Sequence, residues 1–259
     1  MRIATWNVNS ARQRLDHLLV WLKETAPDVA CLQEIKCVDE QFPREAIEAL
    51  GYNVVTHGQK TFNGVALLSK FPFDETRPRL AGDDDDVQSR FLEGTVSLKY
   101  GVVRVACLYL PNGNPANTEK YPYKIKWMSR LIDYSRERLK SEETFVLDRD
   151  FNVIPAPRDV YNPAAWVDDA LFRPQTRETF QKLLGLGLTD ALRAVSDSAG
   201  DYTFWDYQAG AWPKNNGIRI DHLLLSPQAS DRLTGVGIDR HVRAWEKASD
   251  HVPVWIELG

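Results

Sequence analysis

The sequence predicts an α/β domain, on three observations. Short apolar runs of strand length recur along the whole chain, stretches with apolar residues at helical spacing lie between them, and the polar clusters with chemical potential stand directly after the apolar runs. At 259 residues one domain over 1–259 is expected, long enough to bury a full core. With 43% hydrophobic and 26% charged residues the chain has the composition of a soluble globular protein. No stretch approaches the roughly 20 apolar residues that span a bilayer, which argues against a membrane partner.

Arg2 to Val8 reads as the first strand, with Asn7 and Asn9 at its end. Ser10 then offers an N-cap for a helix carrying Leu15, Leu18, Leu19 and Leu22, which Pro27 closes. Asp28 to Gln33 is a buried strand because Val29, Ala30, Cys31 and Leu32 are continuously apolar, and Glu34 stands at its carboxyl end. Arg44 to Leu50 is a short helix that Gly51 terminates, and Asn63-Gly64 introduces a buried strand from Val65 to Leu68. Leu92 to Leu98 and Val102 to Leu110 form a hairpin turning at Tyr100-Gly101, which carries Tyr109 to the far end of its second arm. Asn117 to Lys140 is a long helix with Trp127, Leu131 and Ile132 on its apolar face. Thr144 to Leu147 is a strand delivering Asp148-Arg149-Asp150-Phe151-Asn152, Thr179 to Leu184 is helical, and Ile220 to Leu225 and Val252 to Leu258 are late strands. The stretches 111–116 and 208–217 and the acid run Asp83 to Asp86 are loops.

A formal net charge of −4 and a pI near 5.8 argue against a surface that is basic throughout, so binding to a polyanion requires segregated charge. The three cysteines, Cys31, Cys37 and Cys107, have no metal-type spacing, and an odd number cannot complete a disulfide framework. Met1 to Trp6 runs straight into a strand without the apolar segment of a signal peptide, so cytoplasmic residence is expected.

Four polar clusters follow apolar strands: Asn7 with Asn9, Glu34, Asp150 with Asn152, and Asp250 with His251. Tyr109 and Asp221 join them. Each has an ordinary structural reading taken singly: the asparagines as turn formers, Glu34 as a solvated strand end, Tyr109 as core. Together they supply carboxylates and amide oxygens with little histidine and no cysteine, a donor set that suits Mg²⁺ or Mn²⁺ rather than zinc. Hydrolysis of a phosphodiester needs a polarised phosphoryl oxygen, an oriented water, a base and charge compensation for the leaving oxygen, and this set can furnish all four. Asp221 leads into the apolar Leu223-Leu224-Leu225 and needs a partner, for which His251 is the natural candidate.

Taken in order, Trp6-Asn7-Val8-Asn9, Leu32-Gln33-Glu34, Gly64-Val65-Ala66-Leu67-Leu68-Ser69-Lys70, Tyr109-Leu110-Pro111-Asn112, Asp150-Phe151-Asn152, Ile218-Arg219-Ile220-Asp221 and Ser249-Asp250-His251 resemble the exonuclease III family of apurinic/apyrimidinic (AP) endonucleases. That family lies within the endonuclease/exonuclease/phosphatase superfamily, and the match runs from Arg2 to Leu258. His57-Gly58-Gln59-Lys60, Tyr202-Thr203-Phe204-Trp205-Asp206-Tyr207 and Gly217-Ile218-Arg219 resemble its DNA repair branch. The resemblance implies a DNase I-like four-layer sandwich of two packed mixed β-sheets flanked by helices, with the active site at one rim. It implies Glu34 as principal metal ligand with Asn7, Asn9 and Asp250 nearby, Asp150 orienting or deprotonating water, Asn152 holding that water or a phosphate oxygen, and His251, held by Asp221, polarising the phosphate. Tyr109 and Asn112 would touch phosphate from the other side, and Phe204, Trp205 and Ile218 would line an abasic pocket. Arg12, Arg90, Lys120, Lys124 and Lys214 are candidate backbone contacts, whereas Arg219 suits an ion pair beside Asp221 equally well. The implied activity is Mg²⁺-dependent cleavage 5′ to abasic sites in duplex DNA, with 3′-end repair and 3′→5′ exonuclease action, by a monomer.

Three positions depart from the family pattern. The residue before Asp150 is usually glycine and here is Arg149; if that position needs positive φ, a side chain there costs about 1–2 kcal/mol. Displacement of Asp150 or a loosened loop is then expected, with Arg149 pairing to Asp148 or reaching substrate phosphate. Ile218 replaces an aromatic residue of some relatives, and Asn112-Gly113-Asn114 varies among them. Two other readings remain open on the sequence: a phosphatase or lipid phosphodiesterase on the same core, and a DNA-binding pseudo-nuclease disabled by Arg149.

Overall fold

The computed structural model describes every residue except Tyr100, and Arg149 by its backbone alone. In chain order the elements are β1 (Arg2–Asn7), α1 (Leu15–Thr25), β2 (Val29–Gln33), α2 (Arg44–Glu48), β3 (Asn53–His57), β4 (Val65–Ser69), β5 (Glu75–Pro78), β6 (Phe91–Leu98), β7 (Gly101–Tyr109), α3 (Lys120–Leu139), β8 (Thr144–Asp150), α4 (Pro174–Leu184), β9 (Thr189–Asp190), β10 (Asp221–Leu225), β11 (Leu233–Ile238) and β12 (Val254–Leu258). The strands form two six-stranded sheets, ordered β11-β12-β1-β2-β4-β3 and β5-β6-β7-β8-β10-β9. Each sheet is mixed, because β1–β2 and β7–β8 are parallel pairs among antiparallel neighbours.

Side-chain alternation explains the layers. In β2, Val29 and Cys31 point between the sheets, where they meet Val103, Val105, Cys107, Val146, Leu223 and Leu225 of the other sheet. The intervening Ala30 and Leu32 face outward against Leu18, Trp21 and Leu22 of α1. On the far side Leu108, Leu147 and Leu224 pack beneath Trp127 and Leu131 of α3 and Phe180 of α4. Both faces of these strands are therefore covered, which is why they read as uninterrupted apolar runs. The layers are helix, sheet, sheet, helix, as the resemblance implies. All three cysteines are buried and free, and no helix of the described residues is long and apolar enough to cross a membrane.

The parallel pairs position the site. β1 and β2 end together, with Asn7 beside Gln33 and Glu34 following. In the second sheet β7 and β8 end together with Tyr109 beside Asp150, and β10 sets Asp221 opposite Asp150.

Some element boundaries differ from expectation. Ser10 does not cap α1: its N–H donates to Glu34 O at 2.8 Å and that of Ala11 to Ile35 O at 3.2 Å, so the chain stays tied to the segment after β2 and the helix starts only at Leu15. Strand β8 extends to Asp150 rather than stopping at Leu147, because β10 pairs along it as far as Asp221. Arg149 accordingly lies inside a strand, opposite Leu108 and His222, where extended backbone makes no demand for glycine. The expected contacts of its side chain with Asp148 or phosphate lie outside the described residues.

Candidate active site

The Asn7 amide joins the two sheets at the rim. Fully buried, it donates from Nδ2 to Glu34 Oε1 at 2.8 Å and to Asp150 Oδ2 at 2.9 Å, while its Oδ1 accepts from the Asn9 N–H at 3.0 Å. Carboxylates only accept and an N–H only donates, so this orientation is self-consistent. Asn7 therefore presents its nitrogen to Glu34 and Asp150 while its oxygen is engaged by the Asn9 N–H. Burial would raise the Glu34 carboxyl, but the Lys36 ammonium at 2.8 Å and Asn7 hold it below the usual range. Lys36, a residue the sequence reading missed, also donates to Asn9 Oδ1 at 2.5 Å, and Asn9 Nδ2 donates to Asp250 Oδ1 at 3.1 Å. A chain of polar contacts thus links Glu34, Lys36, Asn9 and Asp250.

The structure brings His251 and Asp221 together. Nδ1 lies 2.9 Å from Asp221 Oδ2, and Nε2 lies 3.6 Å from Asp150 Oδ2. Burial works against charge on the ring, but the Asp221 and Asp150 carboxylates outweigh it and raise His251 to about 10, an imidazolium at neutral pH. Asp221 is fixed from behind by Thr203, whose Oγ1 accepts from the N–H groups of Ile220 and Asp221, both at 3.2 Å. Asp150 is 1% exposed and its carboxyl is pushed up to about 7 by burial, against the pull of His251. Its second oxygen accepts from the Asn152 N–H at 3.0 Å. Asn7 and Asn152 thus hold one Asp150 oxygen each.

Asn152, at φ 48°, donates from Nδ2 to Leu110 O and accepts at Oδ1 from Asn112 Nδ2, both at 3.0 Å. Burial and the Glu34 and Asp150 charges push the Tyr109 phenol well above its ordinary value, so it stays protonated. Arg90 stacks on the Tyr109 ring at 4.8 Å and donates to its carbonyl at 3.2 Å, which makes it a brace for Tyr109. Lys124, expected on the surface as a backbone contact, is completely buried and donates to Asn112 O and Asn152 O at 3.0 and 2.6 Å. It is inaccessible to DNA. Burial lowers its ammonium to about 7, against the opposing effect of Asp169 and Asp150. Lys120 is exposed at the start of α3, Arg12 is exposed beside Gln41, and Lys214 donates to Ala209 O.

Glu34, Tyr109, Asn112, Asp150, Asn152, Asp250 and His251 line one cleft of about 280 Å³. One wall is apolar, built from Phe204 and Ile218 as expected and from Trp166 and Leu171, which the sequence reading missed because they lie in an irregular stretch without a motif. Phe204 sets its ring on His251 at 4.9 Å, and its backbone bridges those of Ile218 and His251. Trp205, expected on the pocket wall, is instead fully buried behind it against Trp212 and Tyr202, with its backbone N–H donated to Asp250 O at 2.9 Å and its indole N–H to Asn215 Oδ1 at 3.2 Å. Successive residues of an extended segment face opposite ways, so Phe204 and Trp205 cannot both reach the cleft. Arg219 is buried too, and pairs with Asp159 at 2.6 Å and Asp190 at 2.9 Å rather than with Asp221.

Oxygens of Glu34 and Asp150 and a ring nitrogen of His251 lie within 4.8 Å of one another, so the cluster could hold a metal ion. A protonated ring whose Nδ1 is engaged by Asp221 is a poor ligand, which leaves carboxylate oxygens, the donors that hard divalent cations prefer. The arrangement can thus place a cation, an imidazolium, a phenol and two amides around one anionic group.

The profile of the Endonuclease/Exonuclease/phosphatase family matches residues 4–251. Exodeoxyribonuclease III of Haemophilus influenzae is 35% identical over 266 aligned positions, covering 100% of both chains. Among solved structures, the 3′ phosphatase NExo from Neisseria bound to a product DNA hairpin superposes with a TM-score of 0.96 at 38% identity, over 100% of this chain and 99% of that one. An AP endonuclease from Archaeoglobus fulgidus superposes with a TM-score of 0.94 at 34% identity, again over 100% and 99%. Agreement over the full length, together with the rim cluster, identifies the chain as a member of the Endonuclease/Exonuclease/phosphatase family, in its exodeoxyribonuclease III branch.

Proposed function

We propose that the protein is a Mg²⁺-dependent DNA repair phosphodiesterase that cuts duplex DNA 5′ to abasic sites and processes blocked or recessed 3′ ends. The observation that carries the proposal is the Asp221-held imidazolium of His251 facing Asp150 and Glu34 beside an apolar wall of Phe204, Ile218, Trp166 and Leu171. An apolar hole accepts a sugar that has lost its base and gives no hydrogen bonds to a flipped normal base. The DNA-bound Neisseria relative and the Archaeoglobus AP endonuclease support the same reading. The site is complete within one chain, which is in keeping with action as a monomer.

Glu34 and Asp250, with Asn7 and Asn9 beside them, would hold the cation, which would supply Lewis-acid stabilisation of charge on the phosphate; Mn²⁺ meets the same oxygen preference. The chain's own groups do the rest. Asp150, with a proton affinity near neutrality, accepts the proton of the attacking water. His251 offers its Nε2 proton to a phosphoryl oxygen, and Asp221 preserves the charge that strengthens as the transition state forms. Tyr109 O–H and the Asn112 and Asn152 amides donate from the opposite side; as the P–O3′ bond breaks, O3′ takes a proton from solvent water and leaves as the 3′ hydroxyl.

The test compares initial rates on end-labelled duplexes carrying an abasic site, a 3′ phosphate or an intact recessed end. Cleavage of the abasic strand leaving a 3′ hydroxyl, together with release of 3′ phosphate, is the expected outcome. Hydrolysis of small phosphoesters with all three duplexes untouched would move the protein to the phosphatase class.

A further inference from the structure

We infer that Lys124 is a positioning residue that fixes the Asn112 and Asn152 amides relative to one another, and through them the substrate phosphate. The inference deepens the phosphodiesterase proposal and rests on it for the identity of the substrate.

Lys124 reaches from α3 under the cleft, with no solvent exposure, and bonds the main-chain carbonyls of both asparagines. Above it Asn112 Nδ2 donates to Asn152 Oδ1 at 3.0 Å, so ammonium, two backbones and two amides close a ring. The loop is shaped around the lysine stem: at Gly113, φ 88°, a Cβ would stand 2.7 Å from Lys124 Cδ and 3.2 Å from Ala170 Cβ. On the far side Asn114 Nδ2 clasps both oxygens of Asp169 at 3.1 Å, and Asp169 and Asp150 supply the facing negative charge. Filling space does not explain a cation here, since a buried ammonium carries a desolvation cost that methionine of similar length avoids. What the ammonium adds is direction: two N–H bonds that hold Asn152 in its left-handed conformation and set its separation from Asn112.

The test is Lys124→Met, assayed with Mg²⁺ on a duplex carrying one abasic site, alone and combined with Asn152→Ala. Misplacing the two amides should lower kcat by about 10–100-fold with KM changed less than about threefold. In the Asn152→Ala background the same substitution should cost less than about threefold, because one of the two amides it positions is gone and the other has lost the partner it is set against. Hydrogen–deuterium exchange should speed up in residues 111–116 and 151–155 and stay unchanged in the sheets. Lys124→Gln, which keeps a donor for one carbonyl, should fall between the two and serves if Lys124→Met does not fold. Unchanged kcat, or an equal loss in both backgrounds, would overturn the inference. A wild-type protein that leaves the duplex uncut with Mg²⁺ and Mn²⁺ overturns the phosphodiesterase proposal instead, and unaltered exchange in both segments then still refutes the role of Lys124.

Discussion

At neutral pH the His251 ring carries a proton because Asp221 accepts from Nδ1 at 2.9 Å and Asp150 stands 3.6 Å from Nε2. Turnover then requires His251 protonated, which fails as pH rises through about 10, and Asp150 unprotonated, which fails as pH falls through about 7. A bell-shaped profile between those limits is expected. Replacing Asp221 with Asn removes the largest charge holding the proton, so the alkaline limb should move to lower pH and kcat at pH 8 should fall about 100-fold. pH–rate profiles of the folded variant check this, and an alkaline limb that stays in place would contradict it. The pairing was legible in the sequence, because an acid opening an apolar strand needs a partner. Lys124 was not: its charge reads as surface, and only the fold reveals the carbonyls that accept from it. Trp205 failed likewise, since the motif names both aromatics but not which way each faces.

Among the elements, the legible ones were those with both faces covered. β2, β4, β8 and β10 announce themselves as apolar runs, and their carboxyl or amino ends carry Glu34, Asp150 and Asp221. β3, β5, β9 and β11 went unread because they lie at or next to sheet edges, where the sequence is short, polar or glycine-containing and leaves no clear period. The Ser10 cap failed because hydrogen bonds to residues 34 and 35 outcompete the first helical turn. β10 is steadied by Arg219, just before it, whose guanidinium is 1% exposed and bonded to Asp159 and Asp190. Arg219→Met leaves those buried carboxylates short of counter-charge, so a stability loss of about 3–5 kcal/mol is expected in urea unfolding. An unchanged midpoint and slope would show that these ion pairs contribute nothing.

For the whole molecule, stacking two mixed sheets brings residues from opposite ends of the chain to one rim: Asn7 and Glu34 from the first sheet meet Tyr109, Asp150 and Asp221 from the second, and Asp250 and His251 arrive just before β12. Seven separated motifs made the fold and most of the cleft readable, whereas Trp166, Leu171 and Lys36 act through position alone. The central claim is that this rim is a metal-dependent phosphodiesterase, and one measurement bears on it most directly: the initial rate of strand cleavage on an abasic duplex with Mg²⁺, with EDTA, and with Glu34→Ala. Cleavage with Mg²⁺ that EDTA abolishes and excess Mg²⁺ restores, and that Glu34→Ala lowers by at least about 100-fold, is the expected result. Cleavage that persists undiminished through chelation or through loss of Glu34 would contradict it.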